Sequence, residues 1–416
     1  MHAIRETMFV LTVLAAMILA MGIQTAAGAD WPNYRGPNHN GISSETDWQS
    51  QWGADGPAVL WKQSVGTGFS TTSVSNGRAY TMGNIGQDNR EDVVYCFDAA
   101  SGKEIWRHSY PCPLEPKSYE GGTLSTPTVD NGKVYTLSKM GHLFCLDAAT
   151  GKVIWQKQLN KELGFELPTW HFASSGLIAG DMIVFSMGTA GLALNKNTGE
   201  VLWQNGKGKC GYATPVPLEL DGRPCLLVSS EVDFFAVQQA DGKQLWRIPW
   251  KTQYEIDAAD PVVLGNQVFV TSGYKRGCAL MEVTAVSVRK IWENKVMSMQ
   301  INCPVVRDGY AYGFDENVFK CLKLQDGTEQ WQDRSLGKGS LIMSADGRLI
   351  IMSEKGELVI AKADPQKFSV VARAQILAKT KCWTSPVLAN GRIYARNANG
   401  DFVCLEVAKR ADQSKP

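Results

Sequence analysis

Six short segments of this sequence together supply aromatic rings and polar or ionisable side chains, the composition of ligand-binding pockets. The segments are 119–122, 170–172, 210–212, 254–257, 299–302 and 381–383. Their rings can stack on a flat or apolar ligand, while their amide, carboxylate and ammonium groups can fix its orientation. The sequence therefore predicts a binding pocket, provided that the fold brings these segments together.

No metal-binding or catalytic motif accompanies the segments. The chain has 5 histidines, and none stands at the spacing of metal ligands. We therefore expect His171 to be a hydrogen-bonded residue at the pocket's edge, and we name no catalytic residue. The sequence also lacks Cys-x-x-Cys, the usual spacing of a redox dithiol.

A repeated phrase indicates which elements position the segments. Residues 98–106 read Asp-Ala-Ala-Ser-Gly-Lys-Glu-Ile-Trp, and this phrase returns with small changes at 147–155 and 195–203. Together with fainter copies, the closing tryptophan recurs roughly every 45 residues. Its positions are Trp61, Trp106, Trp155, Trp203, Trp246, Trp292 and Trp331. This period, with short strands between glycine turns, indicates four-stranded propeller blades.

Seven outer strands end at these tryptophans, and an eighth, without tryptophan, lies at 367–371. We therefore predict an all-β propeller of eight four-stranded antiparallel blades, with seven blades as the alternative because the seventh repeat is degenerate. Residues 58–61 are an outer strand without a blade, and 384–406 are a blade without an outer strand. Pairing the two closes the ring and removes exposed strand edges.

The inner strands are predicted at 71–74, 126–129, 173–176, 213–216, 259–262, 302–305, 341–344 and 384–387. The six pocket segments precede inner strands, so we expect them at one rim around the axis. The recurring tryptophans are expected to be structural, docking one blade on the next, and Trp106, Trp155, Trp203 and Trp246 are predicted to be buried there.

The chain contains 10 cysteines. Cys96, Cys145, Cys321 and Cys404 occupy the same slot before the turn phrase, which predicts four small buried side chains in equivalent environments. Pairing of Cys112 with an unknown partner, and of Cys210 with Cys225, remains open on the sequence alone.

The repeated phrase resembles the repeat of the pyrroloquinoline-quinone (PQQ) propellers over about residues 58 to 408. That family includes quinoprotein alcohol dehydrogenases and the BamB-type scaffolds of outer-membrane β-barrel assembly. Residues 31–41 further resemble the W-x-x-x-R-G-P-x-x-x-G opening of exported bacterial propellers with this repeat.

The resemblance implies two classes of function. The first, which we favour, is an exported scaffold that presents its rim to a protein, a polysaccharide or another polymer of the cell envelope. The alternative is a quinone- and calcium-dependent alcohol dehydrogenase of the polyvinyl-alcohol type. Such an enzyme would need a stacking tryptophan, cations for the quinone carboxylates, and Ca²⁺ bound by carboxylate and amide oxygens.

The rim candidates for a cofactor are Trp170, His171, Tyr212, Lys381, Trp383 and Arg396, and the weak candidates for Ca²⁺ are Glu255, Asp257 and Asn302. None of them stands in a motif that matches the family's site. An adjacent Cys-Cys pair and a Cys-x-x-Cys-His haem motif, both common accessories of the dehydrogenases, are absent from the sequence. We therefore expect neither quinone nor metal.

Residues 1–29 are predicted to be a cleaved signal peptide, because Arg5 precedes an apolar run from Met8 to Ile23 and small residues stand before Asp30. The mature protein is then periplasmic or secreted, without a transmembrane span. Residues 30–57 are predicted to be an N-terminal extension and 409–416 a disordered polar tail. The net charge of +1 argues against a nucleic-acid partner, and we expect a monomer.

Overall fold

The structure, a computed structural model, describes residues 29–53 and 55–409, which form eight antiparallel four-stranded blades. This architecture confirms the eight-bladed prediction and excludes the seven-bladed alternative. The predicted signal peptide, except Ala29, and the polar tail beyond Lys409 lie outside the described residues. Within the described ranges, no helix is both long enough and apolar enough to cross a membrane.

Two strands precede the first complete blade, β1 (Ile42–Ser43) and β2 (Ala58–Ser64). Blade one contains β3 (Ser73–Ser75), β4 (Arg78–Ile85), β5 (Glu91–Asp98) and β6 (Glu104–Pro111), with a 3-10 turn at Gln87–Asn89. Blade two contains β7 (Thr128–Asp130), β8 (Lys133–Leu137), β9 (His142–Asp147) and β10 (Val153–Gln158), followed by the short helix α1 (Leu159–Glu162). Blade three contains β11 (Leu177–Ala179), β12 (Met182–Phe185), β13 (Leu192–Asn195) and β14 (Val201–Gln204). Blade four contains β15 (Val216–Leu220), β16 (Arg223–Ser229), β17 (Asp233–Gln238) and β18 (Gln244–Pro249).

Blade five contains β19 (Val262–Leu264), β20 (Gln267–Ser272), β21 (Gly277–Val283) and β22 (Val288–Asn294). Blade six contains β23 (Val305–Arg307), β24 (Tyr310–Asp315), β25 (Val318–Lys323) and β26 (Thr328–Asp333). Blade seven contains β27 (Gly339–Ser344), β28 (Arg348–Ser353), β29 (Glu357–Lys362) and β30 (Ser369–Gln375). Blade eight contains β31 (Val387–Ala389), β32 (Arg392–Arg396), β33 (Asp401–Glu406) and, as its outer strand, β2.

The ring closes where the chain's first and last blade strands meet. Strand β2 pairs antiparallel with β33, as predicted, and the register places Trp61 opposite Cys404. A β-bulge between Val59 and Trp61 lies at the same place in the outer strand as the bulge before Trp106 in blade one. Closure of this kind leaves the inner and outer strands of blade eight as well paired as those of its neighbours.

The recurring tryptophans lie in outer strands and contact the next blade. Each indole N–H donates to a backbone carbonyl of the following repeat, at 2.8 to 3.1 Å. The pairs are Trp61 with Ala99, Trp106 with Ala148, Trp155 with Lys196, Trp203 with Gln239, Trp246 with Thr284, Trp292 with Leu324, and Trp331 with Asp364. One bond type therefore joins the repeats around the circumference.

The glycine of the repeated phrase lies against the tryptophan of the preceding blade. Gly151 has φ +72°, and a Cβ at this position would stand 2.6 Å from an indole carbon of Trp106. Gly242 has φ +72°, and its Cβ would be equally close to Trp203. Only glycine satisfies both the left-handed backbone and the close contact. The Gly and Trp of the phrase therefore belong to one contact made between successive repeats.

The burial of these rings is less uniform than predicted. Trp106 and Trp203 are 8% and 7% exposed, but Trp155 and Trp246 are only half-buried, as are Trp292 and Trp331. The prediction of full burial was therefore wrong for Trp155 and Trp246. Outer strands lie at the circumference, where a ring has a neighbouring blade on one side and solvent on the other.

The cysteines are buried, and all 10 are free thiols. The four that share a slot lie on third strands, each directly opposite a docking tryptophan, for example Cys96 opposite Trp106 and Cys321 opposite Trp331. The disulfide left open between Cys210 and Cys225 does not form, and Cys112 has no disulfide partner.

Most inner strands begin later than predicted, and in blade three the predicted segment 173–176 precedes the observed strand altogether. Residues at the start of the predicted inner strands donate their backbone N–H groups to the neighbouring blade and not to a strand of their own sheet. Thr126 N–H donates to Ser175 Oγ at 2.9 Å, and Pro127, which follows, has no N–H at all. Blade seven is the exception, because β27 begins at Gly339.

These transverse bonds form a series that we call the axial ring. Its members are Thr71, Thr126, Ser175, Thr214, Asp260 and Cys303. Each N–H donates to the side chain of the next member, at 2.8 to 3.2 Å, which links blades one to six. The Thr71 hydroxyl donates to the carbonyl of Ser385 at 2.7 Å and so joins blade one to blade eight.

The N-terminal extension packs across one end of the central channel. Trp31 exchanges two backbone hydrogen bonds with Val74 of β3, and β1 adds to β27 as a fifth, parallel strand. Arg35 Nη2 donates to the carbonyl of Pro304 at 2.8 Å. Because these partners belong to blades one, seven and six, the extension clamps blades that are far apart in sequence.

We expect Trp203→Ala to lower the free energy of unfolding by about 3 to 5 kcal/mol, because a large buried ring and its hydrogen bond to Gln239 are lost. Leu202→Ala is the matched control, since this adjacent side chain is 49% exposed and its removal should cost less than about 1 kcal/mol. Thermal and urea unfolding measure both. Equal melting temperatures for the two variants would contradict the docking role.

Candidate functional site

The six pocket segments converge on a cavity of about 220 Å³ at the axis. Every segment contributes at least one residue to its wall: Tyr119, Trp170, Tyr212, Ile256, Gln300 to Asn302, and Trp383. The propeller causes this convergence, because each segment leads into the inner strand of a different blade and all inner strands surround the axis. The cavity therefore has walls from blades that are remote in sequence.

Four rings form an aromatic belt along the wall: Trp383, Phe69, Tyr119 and Trp170. Their centroids are 5.7 Å apart from Trp383 to Phe69, 5.7 Å from Phe69 to Tyr119 and 6.4 Å from Tyr119 to Trp170. The backbone N–H of Trp170 donates to Tyr212 Oη at 3.1 Å, and its indole N–H donates to the carbonyl of Tyr254 at 3.1 Å, so both bonds fix the loop. The belt presents mostly apolar faces to a ligand.

Sequence reasoning missed Phe69. Like the six segments, Phe69 comes just before the inner strand of its blade. It stands in the run 66–70, Gly-Thr-Gly-Phe-Ser, which has no charged or amide side chain to mark it as a binding segment. Gly68 has φ +153°, and a Cβ there would stand 2.3 Å from Thr123 Oγ1. The glycines let this loop pass close to blade two and bring Phe69 beside Tyr119.

The two lysines near Trp383, at one end of the belt, already have acidic partners. Lys381 Nζ lies 4.3 Å from the centroid of Trp383 and 3.0 Å from Glu120 Oε2. Lys338 Nζ lies 5.1 Å from the same ring, is hydrogen-bonded to Gln300 Oε1 and is 3.9 Å from Glu316 Oε2. A ligand carboxylate would have to displace these contacts, because each ammonium group is held between an aromatic face and an acid.

The floor of the cavity comes from residues that sequence reasoning did not select. Tyr34 of the N-terminal extension lines it, with its hydroxyl 3.6 Å from Cys303 Sγ. Burial raises the pKa of the Tyr34 phenol, and the nearby Asp260 adds to this. The R-G-P opening gave the only signal, since so specific a motif outside the repeats indicates a fixed structural position.

Asp260 is the one carboxylic acid among the six members of the axial ring. Its Oδ1 accepts the Thr214 N–H at 2.8 Å, and the residue lines the cavity. Burial raises its pKa to about 7, against the opposing effect of the positive charge on Arg35. The sequence does carry a signal for this residue. Blades two and four have Thr-Pro at this position, and blade five has Asp260-Pro261 instead.

The three weak candidates for Ca²⁺ have other contacts. Asp257 is buried, its Oδ1 accepts from Ser272 Oγ at 3.2 Å, its Oδ2 has no hydrogen-bond partner, and burial raises its pKa to about 8. Glu255 accepts from Thr169 Oγ1 at 2.8 Å. Asn302 lines the cavity and donates to the carbonyl of Gly339. Across residues 29–53 and 55–409, no group of three or more His, Cys, Asp or Glu residues is arranged to hold a metal ion.

Arg396 and His171 do not line the cavity. Arg396 is 2% exposed and donates to backbone carbonyls of blade one, among them Gly66 at 2.8 Å, so it joins blade eight to blade one and is not a rim cation. Its assignment as a partner for ligand carboxylates is therefore corrected. His171 is buried with φ +70°, and its Nδ1 has no hydrogen-bond partner among the described residues, so the expectation of a hydrogen-bonded residue at the pocket's edge was wrong. Burial lowers its pKa to about 4, which keeps the imidazole neutral.

The lining does not fit a calcium-bound quinone. Ca²⁺ takes roughly six to eight oxygen ligands, usually including several carboxylates. Asp260 is the only carboxylate among the described residues that line the cavity. The cations nearest Trp383 are held by Glu120 and Glu316, so the quinone's own carboxylates would meet occupied partners.

Comparison with known proteins finds similar chains. A family model described as outer membrane protein assembly factor BamB matches residues 48–162 and, in a second match, 89–333. A curated protein of that same description, from Shewanella oneidensis, is 22% identical over 372 residues, which cover 84% of this chain and 89% of the relative.

Solved structures with this fold have diverse functions. BamB from Moraxella catarrhalis superposes with a TM-score of 0.59 at 16% identity, covering 86% of this chain and 99% of that protein. Quinohemoprotein alcohol dehydrogenase from Comamonas testosteroni gives a TM-score of 0.66 at 12% identity, covering 96% of this chain and 83% of the enzyme. Identities this low establish the shared fold alone.

The raised pKa of Asp260 predicts a pH-dependent stability difference between wild type and Asp260→Asn. Between pH 4 and pH 7 this carboxyl holds its proton in the folded protein, where its pKa is about 7, but loses it in the unfolded chain, where its pKa is 3.8. Its contribution to stability therefore falls as pH rises through this range. Asp260→Asn has no carboxyl to titrate, so its free energy of unfolding should rise relative to that of the wild type by at most about 1.4 kcal/mol per pH unit.

The free energies of unfolding of Asp260→Asn and of the wild type are measured at pH 4.5, 6 and 7.5. Subtracting one from the other at each pH cancels the contributions of the other titrating groups. Leu202→Ala serves as control, because it removes no titratable group and should show a difference from wild type that does not change with pH. A flat difference for Asp260→Asn as well would show that its carboxyl is not desolvated.

Proposed function

Because this chain belongs to the BamB family of PQQ-like repeat propellers, we propose that it is a binding scaffold of the cell envelope and not an enzyme. The curated relative is named as an assembly factor, and its match extends over most of both chains. The partner is a protein or a polymer that docks on the rim around the central cavity. In this proposal the propeller supplies a rigid surface and takes no part in covalent chemistry.

One observation carries the proposal: the cavity is a cup, with a wall from the rim loops and a floor from the chain's own N-terminal extension. A through-channel would not hold a ligand at one depth, whereas a cup lined by the aromatic belt and floored by Tyr34 does. The two lysines beside Trp383 are engaged with acids, Lys381 with Glu120 and Lys338 with Glu316. This arrangement favours recognition by shape and apolar contact.

We place the protein in the periplasm or outside the cell. The apolar run near the N-terminus and the small residues before Asp30 support export, and the curated relative is named as an outer membrane protein assembly factor. Fractionation of cells that make the full chain, with N-terminal sequencing of the product, tests this placement.

The alternative function, a quinone- and calcium-dependent alcohol dehydrogenase, is supported by likeness of fold to one such enzyme. We propose that no quinone is bound, because the cavity lining offers one carboxylate where a calcium site needs several.

A photo-crosslinking residue at Ser118 is expected to capture a defined envelope component in intact cells of the source organism, because Ser118 is exposed and lines the cup. The same residue at Asp308, an exposed turn position after β23, is the control and should not capture it. Mass spectrometry identifies the adduct. Identical adducts at both positions, or none at Ser118, would contradict a rim scaffold.

Purified mature protein mixed with quinone and Ca²⁺ is expected to show neither bound-quinone absorbance nor dye-linked alcohol oxidation. Trp383→Ala provides the matched test, because a genuine quinone site would lose its stacking ring in this variant. Saturable absorbance together with oxidation in the wild type, both lost in Trp383→Ala, would establish the dehydrogenase instead.

A further inference from the structure

Resting on the scaffold function proposed above, we infer that the cup binds one uncharged sugar ring of an envelope glycan. Its volume of about 220 Å³ lies below the roughly 300 to 1,000 Å³ of pockets that enclose drug-sized ligands, so it suits a single ring. The closed floor at Tyr34 means that such a ring enters end-on. The remainder of the glycan then leaves over the rim.

The aromatic belt suits the apolar faces of a sugar ring. A pyranose presents C–H groups on its faces, and these pack favourably on the electron-rich faces of aromatic rings. Trp170 and Trp383, at the two ends of the belt, are half-buried and line the cup, so part of each indole remains open to it.

The axial ring supplies hydrogen-bonding groups of both kinds at the depth of the floor. The hydroxyls of Thr126, Ser175 and Thr214 line the cup, and each accepts one backbone N–H. Within the part of the chain that the structure describes, none of these hydroxyls donates to an acceptor, so their protons remain available.

Asp260 completes this set as an acceptor. The carboxyl is 3% exposed and lines the cup, and only Oδ1 is engaged, by the Thr214 N–H. The other oxygen accepts no hydrogen bond from any residue in the described ranges. A sugar hydroxyl both donates and accepts. It can therefore donate to Asp260 and, at the same time, accept from a Ser or Thr hydroxyl of the axial ring.

The charges around the cup favour an uncharged ligand. An anion would need a free cation, but Lys338 and Lys381 are held by Glu316 and Glu120. An amine would need a free anion, but the positive charge of buried Arg35 acts on Asp260 from behind the floor.

No lysine or arginine is among the described residues that line the cup, and Asp260 is the one carboxyl among them. Lys117, on the rim beside Trp170, donates to the carbonyl of Thr169. A ligand of either charge therefore finds no free counter-charge among the described lining residues.

The test is an array of neutral, acidic and amino oligosaccharides probed with the whole mature protein, followed by calorimetric titration of those that bind. We expect neutral glycans to bind, and Trp170→Ala and Asp260→Asn each to weaken binding at least tenfold. Tyr310→Ala is the control, because this half-buried ring borders a groove between blades five and six and not the cup, so binding should be unchanged.

A readout on the wild type avoids any folding defect of the variants. Hydroxyl-radical footprinting should show protection of Trp170 and Trp383 when the neutral glycan is present, and no change at Trp52 on the N-terminal extension. The inference is overturned if no neutral glycan binds, if charged sugars bind preferentially, or if binding survives both cup variants and leaves Trp170 unprotected.

The failure of this inference is distinguishable from failure of the scaffold function. A defined adduct at Ser118 without glycan binding overturns the sugar site and leaves the scaffold in place. Glycan binding that competes with the Ser118 adduct supports both, whereas the absence of both adduct and glycan overturns both.

Discussion

The contact between an outer-strand tryptophan and the turn glycine of the next blade is the interaction on which this structure depends. It uses a large ring, a left-handed turn residue with no room for a Cβ against that ring, and one indole hydrogen bond, as between Trp106, Gly151 and Ala148. Because no blade contains both halves of its own contact, each blade is stabilised by its neighbours. Stability then grows with each interface between neighbouring blades, and the pairing of β2 with β33 adds the contacts that close the ring.

The functional cup is a product of that closure. Its wall residues lie on loops of different blades, and the axial ring holds the inner ends of those blades at fixed spacing. Two residues combine structural and binding roles: Asp260 ties blade five to blade four while facing the cup, and Tyr34 floors the cup as part of the extension. The site is therefore rigid because its members also hold the propeller together.

Sequence pattern predicted the architecture because the contact that defines it is written locally, in the Gly and Trp of a repeated phrase. It also identified the rim segments, since topology alone brings Trp170 and Trp383 to one axis. Asp260 and Tyr34 escaped because their positions depend on bonds between distant blades and on the path of the extension. Arg396 was misjudged for a related reason: its strand pattern does not reveal that the side chain reaches three carbonyls of blade one.

The extension has a consequence for the order in which the molecule becomes competent. Its residues are the first of the described chain to be synthesised, yet β1 pairs with blade seven, Ser43 donates to the carbonyl of Leu388, and Trp48 bridges to Ala408 near the other end. The floor of the cup therefore cannot be seated until the last blade has been made. A chain that is still emerging, or that has lost its final repeat, has rim loops but no completed cup, so occupancy of the cup reports that synthesis has finished.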